Sequence, residues 1–596
     1  MTGTSTSTFG NEDALPRVPL PSVEDSAQRF LEWCTPLLDD AGRAETEKAV
    51  RELLAPDSPV WTLQADLERF AGGAHSWLDE FWPRRYLGRR DRIAVNANFF
   101  FQFHPTGADQ PTRAAELTVA ALGHKAQLDD ESFPPLVTRG VPQSMEQSKH
   151  LFSTTRIPGD PQDTVRTPYT DEWPGPSTER HVVVFSAGRM YTMDVIGPDG
   201  APHTVDEIAA GMRAVLAAAP GRAPVDTSVG SLTTKARADW AATRAALQVA
   251  NAERVDLVER ALFCVCLDDV TPADEPEACR HLLAGDSGNR WFDKAVSLVV
   301  LGDGTSGINV EHCELDGTTI LTLVDAMFDE PVQTHASRIS ARSQGEPTVA
   351  PIEWELDDAL RAEIRSAAGA FDEYLAATAT QPLTFDDFGA DDAKALNCSP
   401  DAFVQMAYQL AHRRAKGLTG ATYESIATRQ FHHGRTEAMR VVTPESVAFV
   451  DAMQSPDVSA DARREAFRAA ASAHGKRAKG CQQGDAPEQH LWELQLIQER
   501  RGAELGATEP MALFDSPGWQ IMRSDYLSTS AAPSTSIRYF GFGSTSPQCI
   551  GVAYVLLPDR LHVHLSTPAS VADEMYAYAD ELRTAVAELR ELLGSE

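Results

Sequence analysis

Three stretches of this chain carry side chains able to move protons or hold transient charge. In NRWFDKAVSLVVLGDGTSGINVEHCELDG, His312 follows a β-branched run, with Asp316 and Gly317 just beyond it. Imidazole titrates near neutral pH, so a histidine at a strand end can take a hydroxyl proton as the oxygen attacks a carbonyl, then return it to the leaving group. Ser528, Thr529 and Ser530 in LSTS offer hydroxyls, but the stretch STSAAPSTS is rich in turn formers and on its own reads as a polar loop. Cys313 adjoins His312, but neighbouring strand residues face opposite sides, so it is expected to pack rather than react. His432 and His433 fail as a metal pair on similar grounds, because consecutive helix or strand residues cannot both face one ion. No metal site is expected.

These residues need elements to position them. VSLVVL and GINVEH read as strands joined by Asp303-Gly304, a dipeptide suited to the positive φ of a tight turn, which puts His312 at a strand end. The first ninety residues show helical spacing of apolar positions, and RIAVNANFFFQF reads as a strand. Residues 153–180 are rich in Pro, Gly and Thr and are expected as a surface loop. HVVVFSAG and RMYTMDVI form a strand pair closed by the Pro-Asp-Gly turn at 198–200. Periodicity lapses in THASRISARSQGEPTVAP, the best candidate linker. Beyond it come the helix DAFVQMAYQLAHRRAKG, the strands RYFGFG, IGVAYVLL and LHVHLST, and the helix MYAYADELRTAVAELRELL. The expected organisation is a disordered N-terminus over 1–12, a helical segment over 13–92 packing on the second domain, and α/β domains over 93–345 and 346–596.

Bulk properties narrow the function. With 596 residues and 42% hydrophobic content the chain can bury two cores. The net charge of −33 opposes sustained contact with nucleic acid or an anionic membrane. No apolar run approaches the roughly 20 residues that span a bilayer, and no leader pattern opens the chain. Eight scattered cysteines without metal-ligand spacing suit reduced thiols, so a cytoplasmic location is expected. A monomer acting on small molecules, with no bound cofactor, is the expectation.

LPRVPLPSVEDS, GNRWFDK, EHCELDG, SPDAFVQMAYQLA, ATYESIATRQFHHGRTEAMR and LSTS follow one another in the order and approximate spacing of the choline/carnitine acyltransferase family, which the chain resembles from end to end. The HxxxDG pattern is also shared by other enzymes that move acyl groups from pantetheine thioesters. The resemblance implies an α/β fold of two chloramphenicol-acetyltransferase-like domains, each a mixed sheet flanked by helices, with an active-site tunnel at their interface. It implies acyl-CoA or acyl-pantetheine as cosubstrate, His312 as general base and Ser530 as oxyanion donor, with Ser528 shaping the pocket wall. Asp316 matches a family acid that either orients the histidine or is structural, tied to an arginine in related folds.

Several positions depart from the family. Tyr423 and Thr436 match residues that bind the carnitine carboxylate together with an arginine, but that arginine is Gln489 here, which lacks the charged fork a carboxylate needs. Phe540 matches an aromatic near the trimethylammonium site, where cation–π attraction could hold a cationic alcohol. On the donor side Lys394 is kept while its partner lysine is Ala390, beside Asp391 and Asp392, so affinity for the CoA 3′-phosphate should fall; Asp401 is retained. Arg538 stands near the position that limits acyl length. Pointing inward it would favour short or carboxylated acyl groups, and a slip of one residue would put it on the surface. Two other readings stay open: an acyl carrier protein-dependent transferase of specialised metabolism, and a noncatalytic acyl-CoA-binding homologue.

Overall fold

The β-branched runs before His312 form the expected hairpin in the computed structural model, which describes residues 6–331, 334–335 and 345–595. Val296–Val300 and Ser306–Glu311 pair antiparallel, with Ile308 opposite Leu298. Gly304 takes φ +87° in the turn, and a Cβ there would lie 2.3 Å from the Ala108 carbonyl oxygen, so glycine is required on two counts.

This hairpin lies inside an eight-stranded mixed sheet, ordered Val349–Pro351, Arg189–Asp194, His181–Ser186, Cys264–Leu267, Val296–Val300, Ser306–Glu311, Asn98–Phe103, Ile537–Phe542. Most of its strands are buried along their whole length because helices cover both faces, which is why they read as apolar runs without alternation. Gln110–Asp129, Val205–Ala218 and Gly317–Phe328 lie together on one side. On the other, Trp240 and Leu247 of Arg237–Arg260, Leu282 of Glu275–Leu283 and Phe371 of Asp358–Ala376 share a core with Phe100, Val183 and Val299.

The chain divides into two compact units. The first comprises Met1–Asp13, Pro83–Pro382 and Ser534–Gly543; the second comprises Ala14–Trp82, Leu383–Pro533 and Ser544–Glu596. Two segments read as belonging to the later domain therefore pack in the first unit. Asp358–Ala376 does so through Leu360, Ile364, Ala367 and Phe371, and Ile537–Phe542 does so by pairing with Asn98–Phe103. The linker expected within 333–351 lies largely outside the described residues. So do residues 1–5 of the expected disordered N-terminus, but Thr8 is buried and its hydroxyl donates to the Phe133 carbonyl at 2.7 Å.

Residues 153–180 are not a free surface loop. Thr155–Ile157 and Thr164–Arg166 pair with each other, and the fully buried Arg156 bonds Asp163 at 2.6 Å and Glu311 at 3.0 Å. Breaking such a buried pair costs about 3–5 kcal/mol, which outweighs the turn-forming composition. The strand pair His181–Ser186 and Arg189–Asp194 turns at Ala187-Gly188, where φ is +51° and +79°. The turn at 198–200 lies beyond the end of the second strand and closes an isolated bridge between Ile196 and Pro202.

In the second unit, helices Val23–Cys34, Asp40–Leu53 and Val60–Gly73 bear out the helical reading of the early chain. Its sheet is ordered Thr378–Phe385, of which Leu383–Phe385 belong to this unit, then Leu561–Pro568, Ile550–Leu556, Leu527–Ala531, Thr422–Ala427, Thr436–Arg440. Pro400–Lys416 matches the expected long helix and stops at Gly417, whose φ of +72° is the left-handed stop glycine permits. Among the described residues no helix is long and apolar enough to cross a membrane.

Candidate active site

Two groups of candidate residues result, one on each unit. On the first, His312 continues the face of Ile308 and Val310, with its ring 5.4 Å from Phe99 and 4.9 Å from Tyr86. Its Nδ1 lies 2.6 Å from the Leu315 carbonyl oxygen. A carbonyl can only accept, so Nδ1 carries the proton and Nε2 presents its lone pair, as a general base requires. The Tyr86 hydroxyl lies 3.5 Å from Nε2, a long contact. Arg156 steadies both neighbours, donating to the Tyr86 carbonyl at 2.8 Å and pairing with Glu311, whose other oxygen accepts from the Cys313 N–H. The histidine side chain is 30% exposed, so substrate can reach it.

Asp316 lies 3.7 Å from His312 Nδ1, too far for a hydrogen bond, and acts on the ring through its field alone. Gln147 holds it. The amide Nε2 donates to Asp316 Oδ2 at 2.6 Å, while Oε1 accepts from the Asp316 N–H and the Thr319 hydroxyl at 2.8 Å each. A neutral amide is thus one of the groups that hold this carboxylate in place. Cys313 is buried, and burial pushes its thiol well above the ordinary range.

Phe540 packs against Phe101 at 5.2 Å and Phe99 at 6.1 Å, on the face that leads to His312. Arg538 does not follow it. The register slips between Gln102 and Phe103, so Phe103 pairs with Ile537, Gln102 pairs with Tyr539, and Arg538 becomes the extra residue of a bulge. It pairs with Glu275 at 2.6 Å and remains 38% exposed. Glu275 also accepts from Gln102, whose side chain lies on the face opposite Phe99 and Phe101. The inward reading of Arg538 is therefore corrected. Arg538→Gly is expected to leave the order of turnover with acetyl, octanoyl and palmitoyl thioesters unchanged. A shift of preference toward palmitoyl would restore the inward reading.

On the second unit, Leu527–Ala531 lies between two parallel neighbours. Tyr423 stands opposite Ser528 and Ala553 opposite Ser530. Ser528, Ser530 and Tyr423 thus share one face, while Thr529 turns to the other, where Gln405 donates to its hydroxyl at 2.9 Å. Thr436 pairs with Ala427 and Tyr423 with Arg440, at opposite ends of the hairpin. About 13 Å of strand separates them. Gln489 is buried beside Thr436: its Nε2 donates to the Thr436 carbonyl at 2.9 Å, and its Oε1 has no partner among the described residues. One of its two N–H groups is thus directed to the backbone. Glu488, its neighbour, grips Arg440 with both oxygens at 2.7 and 2.8 Å, and Asp525 completes that pairing.

Lys394 is 63% exposed and paired with Asp391 at 2.8 Å. Asp401 accepts from the Tyr554 hydroxyl at 2.6 Å. It lies beside Glu424 and His474, two residues the motif reading passed over although Glu424 adjoins Tyr423. Burial, then the charge of Asp401, lifts Glu424 to about 7 against the pull of His474. Burial lowers His474, but the 2.8 Å bond to Glu424 overcomes this and raises it. Both directions favour the protonated form, so the pair holds a proton that the unfolded chain releases. Its stabilisation is full below the unfolded glutamate value near 4.5 and is lost as pH rises through about 7. A shift of this size corresponds to roughly 3 kcal/mol. Glu424→Gln should gain on wild type by that order between pH 5 and pH 8, read from denaturant midpoints; a constant gap across that range would show that the pair carries no such proton.

Residues 18–584 match the family model for choline/carnitine O-acyltransferase. The chain is 31% identical to mitochondrial carnitine O-palmitoyltransferase 2 of Mus musculus, over 94% of this chain and 89% of that one. It is 29% identical to carnitine O-acetyltransferase of Homo sapiens, over 98% and 94%. Among solved structures it is similar to trichothecene 15-O-acetyltransferase from Fusarium sporotrichioides at 10% identity and a TM-score of 0.39, covering 84% of this chain and 92% of that one. The fold described above rests on the chain's own sheets, not on that likeness.

Proposed function

The chain belongs to the choline/carnitine O-acyltransferase family, and from that premise we propose that it transfers an acyl group from a CoA or other pantetheine thioester to the hydroxyl of a small acceptor lacking a carboxylate. The observation that carries this is the His312 geometry, with Nδ1 bonded to the Leu315 carbonyl and Nε2 left basic. In the proposed step Nε2 takes the hydroxyl proton as the new C–O bond forms at the thioester carbonyl. The tetrahedral oxyanion accepts a hydrogen bond from Ser530, a role worth about 3–4 kcal/mol in enzymes where such donors have been removed. Collapse breaks the C–S bond and the imidazolium returns the proton to the thiolate. No covalent enzyme intermediate forms.

Gln489 supports an acceptor without a carboxylate, because its amide is neutral, one of its N–H groups is taken by the Thr436 carbonyl, and its Oε1, without a partner among the described residues, would face an anion with negative charge. An amino or other neutral-to-cationic alcohol fits better. On the donor side, the exposed Lys394–Asp391 pair leaves little net charge for the CoA 3′-phosphate. Pantetheine on a carrier protein is therefore a second donor to test, although this chain's net charge of −33 would repel an acidic carrier.

The test is release of free thiol from acetyl-CoA, octanoyl-CoA and acetyl-pantetheine, alone and with choline, carnitine and a panel of neutral and amino alcohols. Acceptor-dependent release with ester formation is the expected result. Tight acyl-CoA binding with no release for any acceptor would favour the noncatalytic reading.

A further inference from the structure

Strand alternation would deny His432 and His433 a common ion, but the backbone breaks that alternation. His433 adopts φ +52°, a left-handed conformation that turns two successive side chains toward one side. The turn is closed by backbone bonds from Thr428 N–H to Arg435 at 2.9 Å and from Gly434 N–H to Phe431 at 2.9 Å. A Cβ on Gly434 would fall 2.0 Å from the Thr428 carbonyl oxygen, so the turn is built around that glycine. The His432 N–H is fixed by the Pro16 carbonyl at 2.8 Å.

Both rings meet His75, from the segment after helix Val60–Gly73. Ring centroids lie 4.6 Å apart for His75 and His433, 4.9 Å for His75 and His432, and 4.6 Å for His432 and His433. One nitrogen from each ring lies within 4.8 Å of the other two. Asp79 Oδ1 is 3.6 Å from His433 Nδ1, and its other oxygen accepts from the Ser76 N–H at 3.0 Å. At 3.6 Å the Asp79–His433 contact is a charge contact just beyond hydrogen-bond length, and a small closing movement would make it the carboxylate–imidazole bond found behind metal-bound histidines.

We propose that His75, His432 and His433 bind a divalent transition metal, with Zn²⁺ as the probe of choice, and that Asp79 orients His433 from behind. Imidazole donors select this class over Mg²⁺ and Ca²⁺, which take oxygen ligands. Metal–nitrogen bonds of about 2.0–2.1 Å in a tetrahedron hold ligand atoms roughly 3.4 Å apart. The three nitrogens must therefore close by up to about 1.4 Å from the present spacing. His75 is exposed and reaches this by side-chain rotation.

The test uses the full chain after chelator treatment, titrated with Zn²⁺ by calorimetry and with Co²⁺ by visible absorption. One site per chain and the intense absorption of four-coordinate Co²⁺ are expected. His75→Ala and His433→Asn should each weaken binding at least tenfold; asparagine is chosen because it tolerates positive φ. Asp79→Asn should weaken it about 10–100-fold. His75→Ala removes an exposed ring and decides alone if His433→Asn fails to fold. Absence of saturable binding, or equal affinity in wild type and His75→Ala, would reduce the cluster to ring packing.

Discussion

His312→Ala is expected to lower acyl transfer by about 10²–10⁴-fold, the range a positioned general base contributes, while acyl thioester binding and circular dichroism stay at wild-type values. The expectation follows from how the ring is held. Its Nδ1 bond goes to a main-chain carbonyl three residues away, so losing the ring frees one acceptor, on the buried Leu315, and removes ring contacts with Tyr86 and Phe99. The buried ionic contacts of Arg156 with Asp163 and Glu311 do not involve the imidazole and keep the strand end in place. Ser530→Ala should cost less, about 10²-fold in kcat, since its strand neighbours remain hydrogen-bonded into the sheet. Both effects should fall on kcat rather than on the binding of donor. Turnover within a few-fold of wild type in a folded His312→Ala protein would sink the mechanism. A loss confined to KM would make the histidine a binding residue instead.

Which residues were legible depended on the range of the interactions that place them. The hairpin before His312 is local: β-branched runs and Asp303-Gly304 specify it within sixteen residues, from Val296 to Glu311, and the strand end follows. Ser528 and Ser530 sharing a face is equally local, since it needs only strand alternation. Tyr86 and Gln147 were not marked by their surroundings, WPRRYL and EQSKH, because their roles arise only where distant segments meet His312 and Asp316. The direction of Arg538 turned on one extra residue in a strand pairing with Asn98–Phe103, a partner invisible to periodicity. Asp358–Ala376 shows a plain amphipathic pattern, which says that one face is buried but not against what. His433 carried a readable hint, a histidine directly before a glycine in a polar turn between two strands. The left-handed conformation made there is what alternation cannot anticipate.

Gln489→Arg is expected to lower KM for carnitine at least tenfold with little change in kcat, because a carboxylate far from the reacting hydroxyl is bound alike in ground and transition states. Hydrogen bonds to charged groups contribute about 1.5–3 kcal/mol, and the planar guanidinium offers two parallel charged donors where the neutral amide has a single nitrogen, one of whose two N–H groups is committed to the Thr436 carbonyl. The new side chain can keep that carbonyl as one partner while its fork reaches toward the ligand. Its cost is burial of a further guanidinium beside Glu488, where Glu488 and Asp525 are already matched by Arg440 and Arg523, so some loss of stability should accompany the gain. Gln489→Lys should gain less, since a point charge lacks the fork. Tyr423 lies at the far end of the hairpin from Thr436, so the gain should depend on Thr436 more than on Tyr423, and Thr436→Val in the Gln489→Arg background should return most of it. Choline acylation serves as the internal control for fold and chemistry and should not improve. If the unaltered chain acylates carnitine with a micromolar KM, the carboxylate is held elsewhere and the acceptor assignment fails. If Gln489→Arg leaves carnitine KM unchanged while choline turnover is intact, Gln489 does not line the acceptor site.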